Sequence, residues 1–142
     1  MPHLGQNVRH QQEIHAPTRQ LYFLGFLTWL VPFIVSLPFF LVEGELVIDI
    51  FLFKTIMLVV LGGFGTLMLV RFMRPIQQNF VQAGLTAGLV WFAINTVLDL
   101  IVLVGLLGTP LPEWVVQTGL RYLVIPITGY ALGQAVANRH RE

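Results

Sequence analysis

The chain is organised by four long stretches almost free of polar side chains. The apolar runs cover about 20–42, 47–72, 82–107 and 114–136, with no amphipathic stripe to mark a watery face. Each exceeds the roughly 20 residues needed to cross ~30 Å of hydrocarbon at 1.5 Å per residue. In lipid the backbone must satisfy its own polar groups, so such runs are predicted to be helices rather than strands. The first run is long, holds Pro32 and Pro38, and leads into the acidic EGELVID, so it reads as a retained span and not a signal peptide. The predicted architecture is an all-α, polytopic membrane bundle of four transmembrane helices. A polar tail (1–19) precedes the transmembrane domain (20–136), and a short tail (137–142) follows it.

Composition agrees with the pattern. The 142 residues are 56% hydrophobic and 11% charged, with a mean hydropathy of +0.77. A soluble domain carries about 25% charged residues. The few charges also orient the spans. Arg9 and Arg19 precede the first run, Arg71 and Arg74 separate the second from the third, and Arg139 and Arg141 follow the fourth. The remaining loops carry Glu43, Glu45, Asp49 and Glu113 and no basic residue. The positive-inside rule therefore places both termini in the cytoplasm.

Residue usage removes several chemistries. Without cysteine there is no disulfide, thiolate nucleophile or cysteine-ligated metal. The one serine, Ser36, lies inside an apolar run, and His3, His10, His15 and His140 all lie in the tails, which excludes a transmembrane bis-histidine haem. No metal, cofactor, nucleic-acid partner or catalytic residue is expected, and the chain does not read as an enzyme.

The two halves align as copies of one helical hairpin. Laying Trp29 on Trp91 matches LTWLVPFIV to LVWFAINTV, and laying Lys54 on Arg121 matches KTIMLVVLGG to RYLVIPITGY, with Gly62 on Gly129. Two spans per copy make this a parallel repeat about an axis along the membrane normal.

Charges inside the runs are the candidate chemistry. Lys54 and Arg121 lie ~10 Å inside the outer boundary and Asp99 ~12 Å inside it, by the helical rise. A bare charge at mid-membrane costs roughly 2.5–3.5 kcal/mol, so Asp99 is expected to pair with Arg121 or with Lys54, and Lys54 alternatively to reach up towards Asp49. Gly84, Gly88, Trp91, Asn95 and Asp99 share one helix face. Small residues at one end of that face let helices approach, and Gly62, Gly65 and Gly129 offer comparable faces on their own spans. Asp99, Asn95, Arg121 and Lys54 thus form a candidate polar cluster for an ion, a lipid or a partner. A buried salt bridge that fixes helix register is the structural alternative. Pro32, Pro38 and Pro126 free backbone carbonyls and kink their helices. Trp114, beside Pro112 and Glu113, reads as an interfacial anchor, while Trp29 and Trp91 are deep enough to pack between helices.

The W…N…D of the third run, with RYLVIPI…G in the fourth, resembles a recurrent group of small prokaryotic four-helix membrane proteins over residues 20–136. That resemblance implies the four-helix architecture and a prokaryotic cytoplasmic membrane, and it assigns no functional residue. Two functions stand. One is a homo-oligomeric transport or channel-type protein built around the polar cluster. The other is a non-catalytic accessory or assembly subunit of a larger membrane complex. Membrane lipid, a second copy of the chain or a second membrane subunit are the expected partners.

Overall fold

The structure is a computed structural model that describes residues 18–40 and 45–142. The tail histidines His3, His10 and His15, and Glu43, lie outside the described residues. Among the described residues five α-helices form: α1 Thr18–Ser36, α2 Ile50–Met73, α3 Phe80–Asp99, α4 Leu111–Gln117 and α5 Val124–Arg139. The described fold is all-helical, and within it three helical stretches are long and apolar enough to cross a membrane. These begin at Thr18, Ile50 and Phe80, and they mark the chain as a membrane protein.

Local chemistry sets the helix ends. Proline disfavours the α conformation in the residue before it, and α1 stops at Ser36, giving way to a tight 3₁₀ turn over Leu37–Phe40 that contains Pro38. Asp49 caps α2: its Oδ1 accepts from the backbone N–H groups of Phe51 and Leu52 at 3.0 and 3.2 Å. That carboxylate therefore serves the helix end rather than the Lys54 ammonium expected to reach up to it. Asn79, with φ of 55°, turns the chain into α3, a left-handed position that asparagine tolerates.

The fourth apolar run is interrupted, where a continuous helix over 114–136 was expected. α4 ends at Gln117, a 3₁₀ segment occupies Gly119–Leu123, and α5 starts at Val124. Pro126 supplies the reason. Inside a continuous helix its ring would clash with the Tyr122 carbonyl and its missing N–H would break the ladder, but in a first turn it costs little. Restarting the helix at Val124 puts Pro126 there. α3 changes geometry too, continuing past Asp99 as a wider π-helical stretch over Leu100–Leu106.

Contacts along the helices give their directions. α1 and α3 run parallel: Leu21 meets Trp91, Thr28 meets Asn95, and Trp29 meets Asp99. α5 runs antiparallel to α3, with Gly129 on Gly84, Gly133 on Phe80 and Pro126 on Gly88. α2 follows the same direction as α5, from Lys54 near Arg121 to Leu61–Leu69 beside Val124–Thr128. α3 is the central element and packs most heavily on α5. Helix association in lipid relies on close van der Waals contact and interhelical hydrogen bonds, because lipid tails are as apolar as leucine. The α3–α5 seam meets that need. A Cβ added at Gly84 would overlap the Gly129 carbonyl oxygen, and one at Gly88 would sit 2.6 Å from the Pro126 Cα.

Candidate functional site

One face of α3 carries the site. Gly84, Gly88, Trp91, Asn95 and Asp99 are all buried, as their shared helical spacing requires. The glycines bring α5 close at one end, and the polar residues look towards α1 and the interrupted stretch at the other.

Asp99 is 4% exposed and receives three hydrogen bonds. The Trp29 indole Nε1 donates to Oδ1 at 2.7 Å, the Trp114 Nε1 donates to Oδ2 at 3.4 Å, and the Tyr122 hydroxyl donates a short bond to Oδ2. Among the described residues no cation contacts the carboxylate. The expected ion pair with Arg121 or Lys54 is thus replaced by a cage of neutral donors. Two indoles and a phenol inside an apolar bundle each need an acceptor, and one carboxylate answers all three. Drawing in a guanidinium instead would add the cost of desolvating a second charge.

Each donor is placed by local structure. Trp29 comes from α1, its ring stacked on Phe33 at 4.9 Å. Tyr122 sits in the 3₁₀ segment that Pro126 imposes. Trp114 is buried in α4 rather than anchored at an interface, and its ring lies against Gly119, where a Cβ would come within 3.0 Å of Cζ3. Both chain segments beside the carboxylate leave α geometry at this level, which is where π turns and broken helices commonly accompany function.

Asn95 lies one turn below Asp99 with no exposed surface. Its Nδ2 donates to the Thr28 Oγ1 at 3.0 Å and to the Trp91 carbonyl at 2.8 Å, while Thr28 itself donates to the Gly25 carbonyl at 2.6 Å. Both Asn95 contacts demand a donor, which fixes the amide orientation and leaves Oδ1 an acceptor with no partner among the described residues. Trp91 donates to the Leu21 carbonyl at 2.7 Å and completes the α1–α3 seam.

Lys54 and Arg121 do come together, away from Asp99. The Arg121 Nη1 lies 3.5 Å from the Lys54 carbonyl oxygen, and both residues are half-buried on the α2 side. Gly62 and Gly65, matched by sequence to packing faces, border a small hollow between α2 and α5: Gly65 is buried and Gly62 half-buried, and a Cβ built at either meets no atom within 4 Å.

Sequence reasoning placed Asn95 and Asp99 but not Trp29, Trp114, Tyr122 or Thr28 around them. The available signal was the donor count: every tryptophan N–H and tyrosine O–H in an apolar run must end on an acceptor, and Asp99 is the one carboxylate deep within the runs. Among the described residues no cluster of histidine or acidic side chains is spaced to hold a metal ion. No family model, curated protein or solved structure matches the chain, so the geometry alone carries the functional reading.

Proposed function

We propose that the protein is a four-pass integral protein of a prokaryotic cytoplasmic membrane, with both termini cytoplasmic, and that it is a transport-type protein in which Asp99 binds and releases a proton. The carrying observation is the Asp99 cage: a deeply buried carboxylate held by Trp29, Trp114 and Tyr122, one turn from the unpartnered Asn95 Oδ1. Ionisable residues inside a membrane mark ion and proton pathways by default. As a carboxylate, Asp99 accepts from all three donors. As a carboxylic acid it becomes a donor itself, and Asn95 Oδ1 is the acceptor within a helical turn. The interrupted segment beside it has the form that transporters use to build sites at membrane depth.

Four passes are supported by the antiparallel run of the interrupted stretch along α3. The cytoplasmic assignment of the termini rests on Arg71, Arg74, Arg139 and Arg141 at one end, against Glu45, Asp49 and Glu113 at the other. We also read the two hairpins as diverged copies, since the aligned residues Lys54 and Arg121 meet and α1 runs parallel to α3. Four short helices enclose little space, so the working form is taken as a homo-oligomer.

The test is proton flux into proteoliposomes under a potassium diffusion potential, followed with an enclosed pH-sensitive dye. Wild-type protein should acidify the lumen, and Asp99→Asn, eluting as a folded species, should not. Equal flux from both, or none from wild type, removes the proposal. Native mass spectrometry of mildly extracted protein supplies the second arm. A discrete homo-oligomer agrees with transport, and a stoichiometric second polypeptide replaces it with the accessory-subunit reading.

A further inference from the structure

Two features outside the Asp99 cage meet at the α2–α5 seam. The first is the groove lined by Leu61, Gly62, Gly65, Leu69, Ile125 and Thr128. A Cβ added at Gly62 or Gly65 would meet no atom within 4 Å, so the wall is hollow there, although Gly65 itself is buried. The second is a pair of neighbouring basic residues beyond the end of that groove, where the Arg121 guanidinium reaches the Lys54 main-chain carbonyl. Lys54 stands two helical turns, ~10 Å, before Leu61, and Arg121 lies one residue triplet before Val124 on the other wall. α2 and α5 run in the same direction here, so head and groove are continuous.

The carboxylates whose bonds are described near this end are committed elsewhere. Asp49 caps α2, Asp99 holds its indoles and phenol, and Glu113 accepts from the Gln117 Nε2 at 3.0 Å. Around the cations the surface is apolar and open: Leu58, Leu120 and Leu123 are all exposed. A site with two positive charges at its head and an apolar channel beneath fits a molecule with an anionic head and a hydrocarbon tail. A free inorganic anion would use only the head. Basic pockets between transmembrane helices bind anionic lipid headgroups on the cytoplasmic side, and the same charge complementarity operates at this outer end.

We propose that the α2–α5 groove seats one anionic phospholipid, its phosphate held by the Lys54 and Arg121 side chains as they rise towards the headgroup layer and an acyl chain passing over Gly62. Two cations for one phosphate favour a headgroup without a positive charge of its own, so phosphatidylglycerol is bound in preference to phosphatidylcholine. The guanidinium supplies a planar fork for two phosphate oxygens, and the lysine ammonium swings to a third. This site stands apart from Asp99 and does not depend on the transport reading.

The experiment is native mass spectrometry of the full-length protein in mild detergent, titrated separately with dioleoyl-phosphatidylglycerol, dioleoyl-phosphatidylcholine and inorganic phosphate. One phosphatidylglycerol per chain is expected, held more tightly than phosphatidylcholine. Lys54→Gln should weaken it about fivefold, and Lys54→Gln with Arg121→Gln about thirtyfold, from the usual contribution of each basic residue near a membrane surface. Lys54→Arg should restore binding. Gly62→Leu fills the groove without touching the cations, and should displace the lipid while the protein still elutes as one folded species. That variant keeps the test decisive if Arg121→Gln misfolds. Equal affinity for the two lipids, or unchanged binding in Lys54→Gln and Gly62→Leu, overturns the proposal. Inorganic phosphate bound as tightly as phosphatidylglycerol reduces the site to an anion site, and a co-purified polypeptide cross-linked through Lys54 assigns the groove to a protein partner.

Discussion

At Asp99 the three donors are not equivalent, and their geometry ranks them. The Trp29 bond is 2.7 Å long and the Trp114 bond 3.4 Å, at the limit of a useful contact. Hydrogen bonds to charged groups contribute about 1.5–3 kcal/mol, so Trp29→Phe and Tyr122→Phe should each lower stability by an amount in that range, with Trp114→Phe costing less. Unfolding titrations in sodium dodecyl sulfate read these losses. The double variant Trp29→Phe with Tyr122→Phe should depart from the sum, because both bonds share one carboxylate. Phenylalanine at 29 can keep the stacking on Phe33, which isolates the indole N–H. Asp99→Leu should cost more than any single donor, since it strands three of them. Replacing Arg121 with leucine as well should not restore stability, and a full rescue would reinstate the ion pair that the cage replaces. The ion pair was the natural expectation from charge alone. Opposite charges in one layer of a hydrocarbon run attract strongly, whereas the indole of Trp29 lies 70 residues from Asp99 in sequence and reaches it only in the α1–α3 register.

Helices and their seams were legible to different degrees, and proline and glycine explain most of the difference. The sequence reading carries the first run through Pro38 to about residue 42, whereas α1 ends at Ser36, ahead of that proline. Pro126 signals a disturbance, but the form it takes, a 3₁₀ segment followed by a restarted helix, depends on which turn of α5 the ring can enter. Nothing in LIVLVGL over Leu100–Leu106 dictates a π-helical stretch, and no physical account of it follows from those residues. Glycines were visible as packing candidates, yet sequence spacing alone could not tell Gly84, pressed on Gly129, from Gly62, which faces open space. That contrast is measurable. Gly84→Ala must part α3 from α5, because its Cβ meets backbone rather than a side chain that can turn aside, so a loss of about 3 kcal/mol or more is expected, the upper end of overpacking costs. Gly62→Ala meets nothing and removes a flexible glycine from a helix, so stability should rise by roughly 0.5–1 kcal/mol. Thermal unfolding of both variants in one detergent decides the matter. Comparable losses at the two positions would mean that α2 packs against something beyond this chain.

For the whole molecule the open question is how the interrupted stretch sits relative to the membrane, and α3 answers it by acting as a ruler. The helical stretch it opens, Phe80–Leu106, has 27 residues, enough to cross the ~30 Å hydrocarbon core with Asp99 inside it. Trp114 and Tyr122 touch Asp99 towards one end of that stretch, and His140 packs against Phe80 in a tilted arrangement, with ring centroids 4.6 Å apart, at the other. On the proposed four-pass reading the interrupted stretch crosses beside α3, although α4 and α5 are each too short to cross as regular helices. Single cysteines test this cleanly, because the natural sequence contains none and every label reports one site. Cysteines placed at Glu45 and Thr109 should react with a membrane-impermeant maleimide added outside intact cells. Cysteines at Gln78 and Glu142 should react only after the membrane is opened. Reaction at Glu142 from the outside would leave three crossings and lay the interrupted stretch along the surface. That outcome would strand the Trp114 and Tyr122 donors away from the depth at which Asp99 holds them, so the topology and the carboxylate cage stand or fall on the same measurement.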